Sequence, residues 1–101
     1  MSPMHGIRPE HIVRASLRQM SAELSGESVV LNFDDGVYYS LNGVGARIWE
    51  LIQSPMKVSE LLATLVSEYD VEESRCELDM IALLQEMRGM RLVEVQDAAD
   101  P

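Results

Sequence analysis

Near residue 42 the spacing of apolar positions changes from about two to nearly four, and this change divides the chain. Before it, residues 18–24, 28–33 and 37–41 are short runs of apolar, β-favouring residues, punctuated by Ser25-Gly26 and by Asp34-Asp35-Gly36. Asp-Gly between such runs marks a hairpin, because the tight turn needs a positive φ that glycine adopts without strain. The pattern therefore predicts a three-stranded meander. After it, Val44, Ile48, Leu51 and Ile52 stand at i, i+4, i+7 and i+8, the apolar stripe of a helix that Asn42 can N-cap and Ser54-Pro55 ends. Leu61, Leu62, Leu65, Val66 and Tyr69 mark a second helix. Asp70 and Glu73 have the D-x-x-E spacing of a capping box, so a third helix is predicted over 72–88, with Cys76, Met80, Leu84 and Met87 facing inward. Leu92, Val93 and Val95 predict a short strand or an extended cover. Residues 1–14 hold two prolines and no sustained period, and read as a flexible arm. Residues 96–101 read as a frayed acidic tail, which leaves 15–95 as one domain.

Composition narrows function more than fold. A chain of 101 residues with 47% apolar content can bury a core without disulfides or metals. Eight Lys and Arg against seventeen Asp and Glu give a net charge of −9, which opposes nucleic-acid phosphate and anionic membrane surfaces. The chain contains neither an apolar run of membrane-spanning length nor a secretory signal pattern, so a cytoplasmic location is expected. Its one cysteine, Cys76, excludes an internal disulfide and any zinc site built on several thiolates. His5 and His11 stand apart from other ligand types, so no metal and no cofactor is expected.

Apparent catalytic signals dissolve on inspection. Gly43-Val44-Gly45 precedes a helix as a phosphate loop does, but the third glycine of that fingerprint is missing and the strands before it form a meander instead of a βαβ unit. Gly45 then serves close helix packing. Cys76 has no neighbouring histidine to activate it and reads as a small core residue. Asp34 and Asp35 sit on a solvated hairpin tip, where nothing shifts a carboxyl. The seven methionines read as core filler, or else as an adaptable peptide-binding surface. The third strand is the unusual feature. Charges or proline commonly blunt an exposed edge, and Val37-Tyr38-Tyr39-Ser40-Leu41 has neither. Either another part of the chain covers it, or it is a template on which an extended peptide adds a strand.

The run Tyr38-Tyr39-Ser40-Leu41-Asn42, then Gly45, Ile48-Trp49, Val58-Ser59-Glu60-Leu61, and Asp79 ahead of Leu83-Leu84, resembles the PqqD-like proteins, the RiPP recognition elements, over about residues 21–95. The double tyrosine and the sequence from Gly45 to Trp49 most resemble the stand-alone members of lasso-peptide clusters. The resemblance implies an α+β, winged helix-turn-helix-like domain, a three-stranded antiparallel sheet followed by three helices. It implies binding of the leader of a ribosomally made precursor peptide, antiparallel along the third strand and against the third helix. The domain would present this leader to a separate enzyme and catalyse nothing itself. That enzyme is a leader peptidase in lasso-peptide maturation; the alternative is a radical SAM enzyme in pyrroloquinoline quinone-type or other pathways, with this chain as peptide chaperone.

Carried onto this sequence, the resemblance puts Val37, Tyr38, Tyr39, Ser40 and Leu41 on the strand side of a groove. Rotation by 100° per residue sets Arg75, Asp79, Ala82 and Glu86 along one flank of the third helix, with Leu83 beside the inward stripe and Leu78 farther round. Ala82 is small enough to admit a leader side chain, and Arg75 and Asp79 could orient it through charge-assisted bonds. The sequence departs from the family where many members close this helix with Gly-Leu. Here Arg91 precedes Leu92 and glycine falls at Gly89, which predicts an early stop or a distorted last turn. Winged helices also bind DNA, but the third helix carries five acids against two bases, the wrong balance for phosphate. A dimerisation module using the same edge is the other competitor, and a monomer or weak dimer is expected.

Overall fold

The computed structural model describes residues 6–17, 19–24, 27–33 and 35–97. These form β1 (Ile12–Ala15), β2 (Gln19–Leu24), β3 (Glu27–Asn32), β4 (Tyr38–Leu41), α1 (Gly43–Leu51), β5 (Met56–Lys57), α2 (Val58–Tyr69), α3 (Glu73–Gly89) and β6 (Val93–Gln96). The class is α+β, with the predicted antiparallel meander in the order β2-β3-β4 and three helices after it. Its second hairpin closes on Gly36 at φ +69°, whose N–H donates to the Asn32 carbonyl at 2.8 Å, while Asp35 Oδ1 accepts from the Val37 N–H at 3.0 Å. The turn residues Ser25, Gly26 and Asp34, and residues 1–5 and 98–101, lie outside the described residues.

A second sheet, β5-β1-β6, corrects the reading of residues 1–14 as a flexible arm over the described part of that stretch, residues 6–14. Ile7 and Val13 belong to the core, and β1 pairs Ile12 with Gln96 and Ala15 with Val93. The Arg14 guanidinium reaches Glu94 at 2.8 Å, and Asp97 Oδ1 lies 3.0 Å from His11 Nε2, so the start of the expected tail is also tied down. Four residues are too few to show a strand period, and the partner lies some eighty positions away, so local pattern could not reveal this sheet. Leu92, Val93 and Val95 do fall where predicted, with Leu92 buried and the other two in β6.

The helices pack around one core of Val13, Val30, Ile48, Ile52, Val58, Leu61, Leu65, Met80, Leu84, Met87 and Leu92, each hidden from solvent. The inward stripe predicted for α3 holds at Met80, Leu84 and Met87, with Cys76 half-buried at its start. The predicted capping box at Asp70 does not form. Asp70 instead ends α2 in the left-handed conformation at φ 52°, a state that a short polar side chain tolerates, and Glu72 precedes α3 without a side-chain cap. Asn42 occupies the N-cap position of α1 but makes no capping bond. Arg91 does adopt the costly conformation, at φ 64°. Its N–H donates to the Arg88 carbonyl at 3.0 Å and the Leu92 N–H to the Met87 carbonyl at 2.9 Å, the two bonds of a Schellman cap, and buried Leu92 packs with buried Met87. The last turn is therefore regular, at the expense of an arginine where glycine is easiest. Among the described residues no helix is long and apolar enough to cross a membrane.

Candidate functional site

β4 borders β3 and, among the described residues, has no strand on its other side. Antiparallel neighbours alternate between hydrogen-bonded and non-bonded pairs. The Asn32 N–H donates to the Val37 carbonyl at 3.1 Å, so counting onward directs the backbone groups of Tyr39 and Leu41 toward β3. Those of Tyr38 and Ser40 point outward, where an added strand would meet them. The vacancy that the sequence left open as one of two readings is thus present.

Beside this edge runs a cleft of about 360 Å³ lined by Tyr39, Ser40, Leu41, Asn42 and Gly45 on one side and by Leu83, Glu86, Met87 and Met90 on the other. Past Leu83 it continues into a pocket of about 370 Å³ between the three helices, lined by Val44, Leu65, Tyr69, Val71, Arg75, Cys76, Asp79, Met80 and Leu83. Leu83 belongs to both and forms the sill between them. A Cβ on Gly45 would stand 3.6 Å from Leu83 Cδ2, an ordinary van der Waals contact, so the close packing expected of this glycine does not itself demand a bare Cα. The first cavity lies along the C-terminal half of α3 and the second along its N-terminal half.

The expected site residues divide into three groups. Tyr39 and Leu41 point their side chains inward; Leu41 is buried in the core, and Tyr39 is half-buried with its hydroxyl 3.4 Å from Asp35 Oδ2. Desolvation and the Asp35 carboxylate hold the Tyr39 hydroxyl above its ordinary pKa, so it stays a neutral donor. Tyr38 and Ser40 lie on the outer face, and Ser40 Oγ donates to Glu27 Oε1 at 2.9 Å. Val37 is exposed just before the strand begins. On α3, Leu83 and Glu86 line the cleft, and Arg75 and Asp79 line the second pocket, where Arg75 Nε meets Asp79 Oδ2 at 3.3 Å with both side chains in solvent. Ala82 and Leu78 are exposed on α3 and line neither cavity.

The pocket between the helices escaped the sequence reading. Val44 was assigned to the core face of α1 and Tyr69 to that of α2, yet both are exposed, and so is Val71 in the connection between α2 and α3. Apolar periodicity identifies a stripe and is silent on whether another element covers it. The useful signal was Val71, a β-branched residue in a polar link between helices. Cys76 lies in the same pocket, where burial and then the Asp79 charge push its thiol upward in pKa, so it stays protonated and a poor nucleophile. Among the described residues no three His, Cys, Asp or Glu side chains gather as a metal site.

Comparison with known proteins points the same way. A family model described as coenzyme PQQ synthesis protein D (PqqD) matches residues 27–93. The structure described as TbiB1 in complex with the TbiA(beta) leader peptide is 30% identical, with a TM-score of 0.76 over 80% of this chain and 94% of that one. Another, a lasso peptide synthetase B1 complexed with the leader peptide, is 24% identical, with a TM-score of 0.72 over 81% of this chain and 96% of that one, and shares the fold. Comparison with curated proteins finds no match.

Proposed function

The chain belongs to the PqqD family, and from that premise we propose that it is a non-catalytic RiPP recognition element that binds the leader of a ribosomally synthesised precursor and delivers it to a leader peptidase in lasso-peptide maturation. The carrying observation is the unpaired β4 edge, with the backbone groups of Tyr38 and Ser40 turned outward beside a cleft that opens into an apolar pocket. A similar protein, 30% identical over most of both chains, holds a leader peptide, which supports the reading.

Each part of the site has its own task. The edge supplies register through main-chain bonds that are nearly blind to sequence. Selection then falls to side chains. The pocket walled by Val44, Leu65, Tyr69, Val71, Met80 and Leu83 accepts a large apolar leader residue, while Arg75, Asp79 and Glu86 engage polar or charged ones at its rim. The protein raises the local concentration of precursor at its enzyme and leaves the bond chemistry there.

Titrating the full chain into a fluorescein-labelled leader peptide and following anisotropy tests this reading. Saturable binding at one peptide per chain, in the range of about 10 nM to 10 μM, is expected for an interface of this size. A flat titration with the cognate leader contradicts it.

A further inference from the structure

The pocket between the helices takes its walls from two separately packed parts of the fold. α1 lies on β3 and β4, whereas α2 packs against α3. Leu65 and Tyr69 of α2 and Met80 and Leu83 of α3 therefore belong to one unit, and Val44 of α1 closes the cavity from the other. The distance between α1 and α2 sets the width of the pocket, and whatever fixes that distance sets the size of side chain admitted.

Arg47 spans the gap. Its Nε donates to Glu68 Oε1 at 2.8 Å and its Nη2 to Glu68 Oε2 at 2.6 Å, so the flat guanidinium engages both carboxylate oxygens. Nη1 donates to Glu50 Oε1 at 3.1 Å, which holds the arginine against its own helix. Among the described residues this is the one hydrogen-bonded bridge between α1 and α2. It lies beside the pocket on both helices, for Val44 stands one turn before Arg47, Leu65 one turn before Glu68, and Tyr69 directly after Glu68. α2 has no basic residue in its last turn, so Arg47 also brings the cation that a helix C-terminus favours, at the turn that carries Tyr69. The bond from Arg47 holds the Glu68 carboxyl below its ordinary pKa, and the pair stays ionised at neutral pH. Each side chain is 35% exposed, and an ion pair so open to water adds little to stability. Its geometry is the more consequential property.

We propose that Arg47 is a positioning residue for leader selection: its two-pronged grip on Glu68 fixes the width of the pocket between α1 and α2, and so favours a bulky apolar leader side chain of one size. This rests on the leader-binding reading. Without the bridge Val44 is free to move away from Leu65 and Tyr69, and the inserted side chain loses a preorganised wall. Leader residues elsewhere along β4 keep their contacts.

The test follows anisotropy of the fluorescein-labelled cognate leader and of its single-alanine variants, one for each leader position. The full wild-type chain is compared with Arg47→Met, Glu68→Gln and the double variant. Each single substitution should weaken the unmodified leader roughly five- to tenfold, and the double variant should be no worse than either, because the two side chains act as one unit. The pocket-filling leader residue is the bulky apolar position at which alanine costs the wild-type chain most. For that alanine variant the penalty of losing the bridge should shrink to within about twofold, while at the other positions it persists. Thermal midpoints should stay within about 3 °C of wild type, as for an ion pair open to solvent. A merely structural role gives the opposite pattern, an equal penalty for every leader variant with a lowered midpoint, and overturns the proposal. So do unchanged affinity in both single variants and penalties that add in the double variant. Failure of the wild-type chain to bind any leader would instead overturn the leader-binding reading beneath it.

Discussion

The meander has two open borders, and they are not equivalent. Among the described residues β2 and β4 each pair with β3 alone, so each presents a row of backbone groups to the outside. By the same alternation, Ser21 and Glu23 turn theirs outward on β2 as Tyr38 and Ser40 do on β4. β2 is the longer strand, yet beside it lies only a shallow cleft of about 190 Å³, roughly half the volume of the one beside β4, lined by Ser21, Ala22, Glu23, Ser28, Trp49, Glu50 and Gln53. Glu23 also places a charge on that border, the common device against unwanted pairing. β4 carries no charge and faces α3 across the cleft of about 360 Å³, which meets the pocket between the helices at Leu83. On the proposed reading, free main chain is insufficient for recognition, and a neighbouring wall holds the side chains that main-chain pairing ignores.

Four substitutions probe this difference, in decreasing order of effect on leader affinity. Leu83→Asp puts a carboxylate on the sill between cleft and pocket, where bound peptide would desolvate it. A loss of about 2 to 3 kcal/mol, or roughly 30- to 150-fold in affinity, is expected by anisotropy. Ser40→Pro removes one outward donor from the edge without touching the main-chain bonds to β3, at the cost of the exposed side-chain bond from Ser40 to Glu27. It should weaken leader binding about tenfold, the worth of one main-chain bond denied to a desolvated partner. Ser21→Pro is the matched change on β2 and should leave affinity unchanged. Equal losses from the two prolines would dissolve the distinction between the borders.

The fourth substitution separates stability from binding. Arg91→Gly relieves the left-handed strain at the end of α3 and should raise unfolding free energy by about 1 kcal/mol in urea denaturation, with leader affinity constant. No gain in stability would mean that the arginine side chain offsets its backbone strain through contacts of its own.

Much of the binding edge was legible before any coordinates. Asp35-Gly36 located the turn, an uncharged strand without proline followed it, and the 3.6 period of α3 set its buried face at Met80, Leu84 and Met87. What stayed hidden was non-local or negative. The β1–β6 pairing joins chain ends through strands of four residues, and nothing near Ile12 announces Gln96. The pocket beyond Leu83 is a space that Val44, Tyr69 and Val71 fail to fill, and a hydrophobic stripe reads the same whether it is covered or bare. Asp70 shows a third limit, for its spacing to Glu73 fits an N-cap, while the chain uses the residue to stop α2.

Amide hydrogen exchange, measured residue by residue with and without leader peptide, tests the central claim most directly. The Tyr38 and Ser40 amides should exchange freely in the unbound chain and become protected when leader is added, while those of Tyr39 and Leu41, already bonded to β3, change little and those of Ser21 and Glu23 stay open. Protection appearing on β2, or a bound leader that leaves Tyr38 and Ser40 exchanging as before, would contradict strand addition at β4.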